Sequence, residues 1–159
     1  MPESVAIPFL LGRLSAADLE TARCVAGTLF PAEGVIPVDA EQAEVSAYFQ
    51  DYFDRLPNLE QAQVRALLQA VELGFAAWSR SPRARFTTAS PEDRWTFLEA
   101  WSQSSNHYQR MIFDGLRTVF LLGYVDSIPV RKLINNFGDG GPTDGTTIPT
   151  TSVLSAREM

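Results

Sequence analysis

His107 is the sole histidine and Cys24 the sole cysteine of this 159-residue chain, and together they limit the chemistry it can carry. His107 has no His or Cys three or four residues away, so the helix-borne zinc and haem arrangements lack a ligand pair. It reads as a cap or surface residue at a helix start. Cys24 stands alone, which excludes an intrachain disulfide and a multi-thiolate metal site. Inside a helical pattern it reads as a small buried hydrophobe. Carboxylate pairs are the remaining route to acid–base catalysis. Glu92 and Asp93 follow Ser90-Pro91, where the positive end of a helix dipole already explains them. Asp51 and Asp54 lie at i, i+3 on the polar side of an amphipathic segment. Neither pair needs a catalytic role.

Phosphate and calcium chemistry fare no better. No Gly-x-Gly-x-x-Gly, Walker-type loop or Gly-x-Ser-x-Gly elbow occurs. The run Asp139 to Gly145 suggests a calcium loop superficially, but it lacks acids at its third and fifth positions and a terminal Glu. Arg80, Arg83 and Arg85 form the densest basic group, with Pro82 among them, and read as a solvated loop. A net charge of -6 and a pI near 4.7 oppose binding to a phosphate backbone, which depends on Lys and Arg. No nucleic-acid partner is expected, no cofactor or metal in this chain, and no catalytic residue.

The elements that would position any site are helices. Ser15 and Asp18 form a capping box ahead of Leu19, Ala22, Ala26 and Leu29, and Pro31 ends that helix. Residues 32–39 read as a loop. Val45, Tyr48, Phe49, Tyr52, Phe53 and Leu56 mark a second helix stopped before Pro57, and Asn58 caps a third carrying Leu67, Leu68, Val71, Phe75 and Trp78. Ser90-Pro91 opens a fourth with Trp95, Phe97, Leu98 and Trp101. A fifth, from about His107 to Tyr124, is apolar on most sides and therefore expected in the middle of the domain. Ser127 and Pro129 open a short sixth ending at Gly138. No stretch alternates with period two, so the fold class is all-α, a single-domain bundle of about six helices.

Residues 1–13 read as an N-terminal extension, 14–138 as the helical domain and 139–159 as a Gly/Pro/Thr-rich arm. The arm is either a disordered terminus or a segment that orders along a partner. No apolar stretch approaches the roughly 20 residues that cross a bilayer, so no direct membrane insertion is expected. No export signal is recognisable. The location is expected to be cytoplasmic by default, or periplasmic if a signal was removed or is carried by a partner. Ten Phe, four Tyr and three Trp are many for a domain of this size, and aromatics left over after a core of six helices is filled would be enriched at a protein interface. Although tryptophans at helical spacing read first as core, the interface candidates are Tyr48, Tyr52, Trp95, Tyr124 and Phe137, with Pro142 and Ile148 from the arm.

Three stretches, in order, carry a resemblance: Leu14 to Leu19 running to Thr28-Leu29-Phe30-Pro31; Ser90 to Trp95 with Trp101 and Ser104; and Arg110 to Arg117 continuing to Leu122-Gly123-Tyr124. Over about Leu14 to Gly138 the chain resembles the gluconate 2-dehydrogenase subunit 3 family. The resemblance implies a helical small subunit that binds a large, FAD-dependent catalytic subunit of the glucose-methanol-choline oxidoreductase type and supports its folding, stability or export. The FAD is then expected in the partner, and no catalytic residue is implied here. Two positions depart from the family pattern. Only Arg13 precedes the first helix where members commonly carry a twin-arginine signal, and Gly27 stands where an acidic residue is frequent.

Two other readings stay open at this level. One is a free-standing module that self-associates or takes a small apolar ligand in a pocket closed by Tyr48, Phe49, Tyr52 and Phe53. The other is a catalytic domain with an unrecognised site.

Overall fold

The chain turns helical at its capping box in the computed structural model, which describes residues 14–139. The Ser15 hydroxyl accepts from the Asp18 N–H at 3.1 Å while the Asp18 carboxylate accepts from the Ser15 N–H at 3.0 Å. Asp thus serves where Glu is usual. That carboxylate also faces Arg65 at 3.5 Å, with both side chains 11% exposed, and the Arg65 guanidinium lies 5.8 Å from the Phe53 ring centre. One local cap is therefore joined to two later helices.

Six helices follow in order: α1 Ala16–Leu29, α2 Val45–Arg55, α3 Asn58–Trp78, α4 Pro91–Ser102, α5 His107–Asp126 and α6 Ile128–Asp139, with a 3₁₀ turn at Phe86–Thr88. No strand occurs among the described residues, and the all-α bundle of about six helices is the observed fold. Ser90 caps α4 by accepting from the Asp93 N–H at 3.1 Å, with Pro91 as its first residue. Asn106 caps α5 through the Tyr108 N–H at 2.9 Å. Pro57, not Asn58, is the N-cap of α3 and offers no side-chain bond. Its fixed φ suits the extended cap position and sets Asn58 as the first helical residue.

The middle of the domain belongs to α1 rather than α5. Ala22, Cys24, Val25 and Ala26 are buried, and α1 packs against α2, α3, α4 and the 3₁₀ turn. Side chains this small let neighbours close in on several sides. In α5 only Leu116, Phe120, Gly123 and Tyr124 are buried, with Phe120 stacked on Phe49 of α2 at 4.8 Å. Its bulk reaches inward from one face, and the other face stays uncovered. The expectation of a central α5 fails because an all-round apolar helix is buried only where elements exist to cover it.

Two close approaches fix the helix pairs. A methyl group on Gly74 of α3 would lie 2.1 Å from Cζ2 of Trp101, and one on Gly123 of α5 would lie 2.5 Å from Cδ1 of Tyr48. Each aromatic ring rests directly on the opposing helix backbone. Between α3 and α4 the fully buried Phe86 enters an aromatic cluster, 5.9 Å from both Phe75 and Phe97. Burying that turn requires partners for its backbone. Glu72 accepts from the N–H groups of Phe86 at 3.0 Å and Thr87 at 3.2 Å, and Arg94 donates to their carbonyls at 2.9 and 2.6 Å.

Helix propensity alone would make Gly74→Ala stabilising by about 1 kcal/mol. The clash with Trp101 reverses the sign: a loss of about 2 kcal/mol is expected in urea unfolding, with a shift in tryptophan emission. A gain in stability would show that the indole does not sit there.

Candidate partner interface

Among the described residues, one face of α5 carries a run of exposed apolar side chains. Met111, Thr118, Leu122 and Val125 recur at helical spacing on the side opposite Leu116 and Phe120, with Tyr108 and Leu121 beside them. Tyr108 is 70% exposed, and Met111 and Leu122 about half. Ile128 and Ile134 extend exposed apolar surface into α6. Exposed apolar residues scattered singly are ordinary; a helical stripe of them is a contiguous apolar patch and so a candidate interaction surface. Its polar margin is mixed in sign, with Asp114, Arg117 and Asp126 exposed and Arg110 half-buried, donating to the Ser104 carbonyl. Along the first half of the stripe a shallow groove runs over Gly115 and Thr118 between Arg110 and Asp114.

The residues expected at an interface are distributed unevenly. Trp95 is half exposed on α4. Tyr48 and Tyr52 are half-buried on α2 with their rings stacked 6.4 Å apart, and Tyr48 is occupied by its contact with Gly123. Tyr124 is a core residue and not a surface one: it is 5% exposed, its ring stacks on Phe30 at 4.1 Å, and its hydroxyl donates to the Val38 carbonyl at 2.6 Å. It falls on the inward side of α5 with Leu116 and Phe120, and Val38 supplies the partner that a buried phenol needs. The side chain of Phe137, together with Pro142 and Ile148, lies outside the described residues, as does the arm from residue 140 onward. The stripe itself was visible as the apolar character of α5, but periodicity could not say which side would stay open.

Of the four residues expected to close an apolar pocket, Phe49 and Phe53 are 1% and 0% exposed, buried within the core, and Tyr48 lies against Gly123.

The titratable groups have structural surroundings. His107 is exposed at the first position of α5 beside Tyr108. Glu92 and Asp93 occupy the first turn of α4, and Asp51 pairs with Arg55 at 2.6 Å in solvent. Cys24 is buried, its sulfur 3.7 Å from a Glu20 carboxylate oxygen and 3.9 Å from the Thr87 carbonyl. Burial pushes its thiol pKa up, against the pull of Arg94. Arg80 sits at a left-handed φ of 56° where the chain leaves α3. Among the described residues no group of three His, Cys, Asp or Glu side chains could hold a metal ion, and no helix is long and apolar enough to cross a membrane.

Fold and surface thus define a class: a six-helix domain in which one apolar helix face is left uncovered. No family model, curated protein or solved structure matches the chain.

Burial, then the charge of Asp39, raises the Tyr124 hydroxyl above its ordinary pKa of 10.0. Above that pH the unfolded chain loses a proton that the folded chain keeps, so this contribution to stability falls as pH rises through the folded value. Tyr124→Phe should cost about 1 kcal/mol at pH 7 by orphaning the Val38 carbonyl. It should also flatten the decline above pH 10. Urea midpoints across that range test both, and an unchanged alkaline slope counts against the assignment.

Proposed function

We propose that the chain is a non-catalytic accessory subunit that binds a large FAD-dependent alcohol or sugar oxidoreductase subunit and assists its folding or assembly. The observation that carries the binding role is the uncovered stripe Met111, Leu122 and Val125 on α5. The resemblance in sequence supports the kind of partner. Its motifs contain residues that the core does not use: Trp95, Met111 and Leu122 each lie in one of the three stretches, and each is exposed. An interface of the obligate kind buries about 2,000 Å² or more and is rich in apolar contact, which this face supplies from one side. The flavin belongs to the partner in this reading.

Co-expression with a candidate flavoprotein of the glucose-methanol-choline type should yield a yellow complex. Met111→Arg and Leu122→Arg should each weaken its capture by roughly tenfold or more while leaving the unfolding midpoint of the isolated chain almost unchanged, as for exposed hot-spot residues. Capture that survives both substitutions would move the interface elsewhere. A chain that stays a monodisperse monomer and retains no such flavoprotein would remove the proposal.

A further inference from the structure

Between the end of α1, the loop after it and the start of α2 lies a half-open cleft of about 690 Å³, with no lining residue from α5. Small-molecule sites typically measure about 300–1,000 Å³. Apolar contact comes from Phe30 and Pro31 on one side and Ala40 and Ala47 on the other. The charged lining is unbalanced: Glu33, Asp39, Glu41 and Glu44 stand against a single cation, Arg23, which is already paired with Glu20 at 2.9 Å, and Asp39 Oδ1 also accepts from the Gln42 N–H at 2.7 Å.

The walls are fixed in place. The Ala40 N–H donates to the Phe30 carbonyl at 3.1 Å and the Val45 N–H to the Ala40 carbonyl at 3.0 Å, while the Tyr124 hydroxyl holds Val38. Val38, Ala40 and Ala43 are buried beneath the loop. The space therefore exists before any ligand arrives.

Gly27 completes the pattern. It is an exposed helical residue lining the cleft, and a methyl group there would meet nothing within 4 Å. Gly74 and Gly123 are required by the rings that lie on them, whereas no neighbour in the fold requires Gly27. It weakens α1 by up to about 1 kcal/mol relative to alanine. Its missing side chain leaves the cleft open.

We infer that this cleft binds a small organic cation, an ammonium or guanidinium group carried on an apolar body. The body lies against Phe30, Ala40 and Ala47, and the cation sits among the carboxylates of Asp39, Glu41 and Glu44. Anions are repelled by the same rim. The inference is independent of the α5 interface, since the two share no residue.

Titration calorimetry on the full chain tests it with three probes of one size: phenethylammonium, 2-phenylethanol and phenylacetate. Phenethylammonium should bind with a Kd below about 1 mM at low ionic strength, weakening several-fold in 0.5 M salt as surface charges are screened. The alcohol should bind about tenfold more weakly and phenylacetate not at all. Gly27→Leu should abolish binding with an unchanged or higher Tm. The double variant Glu41→Gln, Glu44→Gln should weaken phenethylammonium about tenfold. Equal affinity for the three probes, unaltered binding to Gly27→Leu, or no saturation by phenethylammonium at about 10 mM would overturn the assignment. Much tighter binding of a capped Phe-Arg dipeptide would overturn the small-molecule assignment and make the occupant a protein's basic side chain.

Discussion

Glu72 and Arg94 hold opposite sides of one part-buried peptide segment, and the packing of α3 against α4 depends on that clamp. The 3₁₀ turn Phe86–Thr88 lies within the connection from α3 to α4; Phe86 is fully buried, Thr87 half-buried and Thr88 exposed. Polar backbone can enter an apolar interior only with its hydrogen bonds supplied. A carboxylate on α3 takes the two N–H groups, and a guanidinium on α4 takes the two carbonyls. Both ends of the connection are thereby tied to the helices they link. Phe86 can then fill the space among Phe75, Phe97 and their neighbours, with the Arg94 guanidinium 5.8 Å from its ring centre. Thr21 of α1 also donates to Glu72 at 3.2 Å, which brings the central helix into the same network.

The uncovered face of α5 follows from how that core is filled. Phe86 and the rings of α3 and α4 supply one aromatic cluster, and α1 fills the centre with small side chains. α5 closes the remaining side with Leu116, Phe120 and Tyr124, and no described element lies across its back. Its outward Met111, Leu122 and Val125 contribute nothing to the core. They are nevertheless as apolar as the residues that do. A helix selected only for folding would carry charge there, because solvated polar residues on an outer face cost little. Under the proposed accessory role, those positions form the surface that the partner would cover.

Local signals were legible in the sequence and long-range ones were not. The capping box at Ser15, the N-cap at Ser90 and the proline stop at Pro57 act within a few residues, and they located those helix ends correctly. Glu72 and Arg94 carry no such mark, since their bonds to Phe86 and Thr87 span 14 and 15 residues for Glu72 and 8 and 7 for Arg94 and target backbone atoms that no side-chain pattern encodes. Tyr124 shows the same limit in reverse. As a tyrosine it suits an interface, and only the Val38 carbonyl, 86 residues away in sequence, makes it a core residue. For α5, periodicity revealed a helix apolar on most sides, but which side stayed open depended on where α2 and α4 pack against it.

Tyr124 also bears on what the cleft beside α1 can accept. Its ring stacks on Phe30, and its hydroxyl holds Val38, so α5 braces the loop that forms one wall. A ligand that displaced Phe30 would have to break an aromatic pair worth about 0.5–1.5 kcal/mol and disturb the bond to Val38 as well. Remodelling of the wall is therefore disfavoured relative to filling the space as it stands. A preformed shape spends little binding energy on ordering its own residues, which leaves the match of charge to decide among ligands of similar size. The acidic rim then acts as the selective element, and Gly27, by adding no side chain, sets how deep the apolar body can reach.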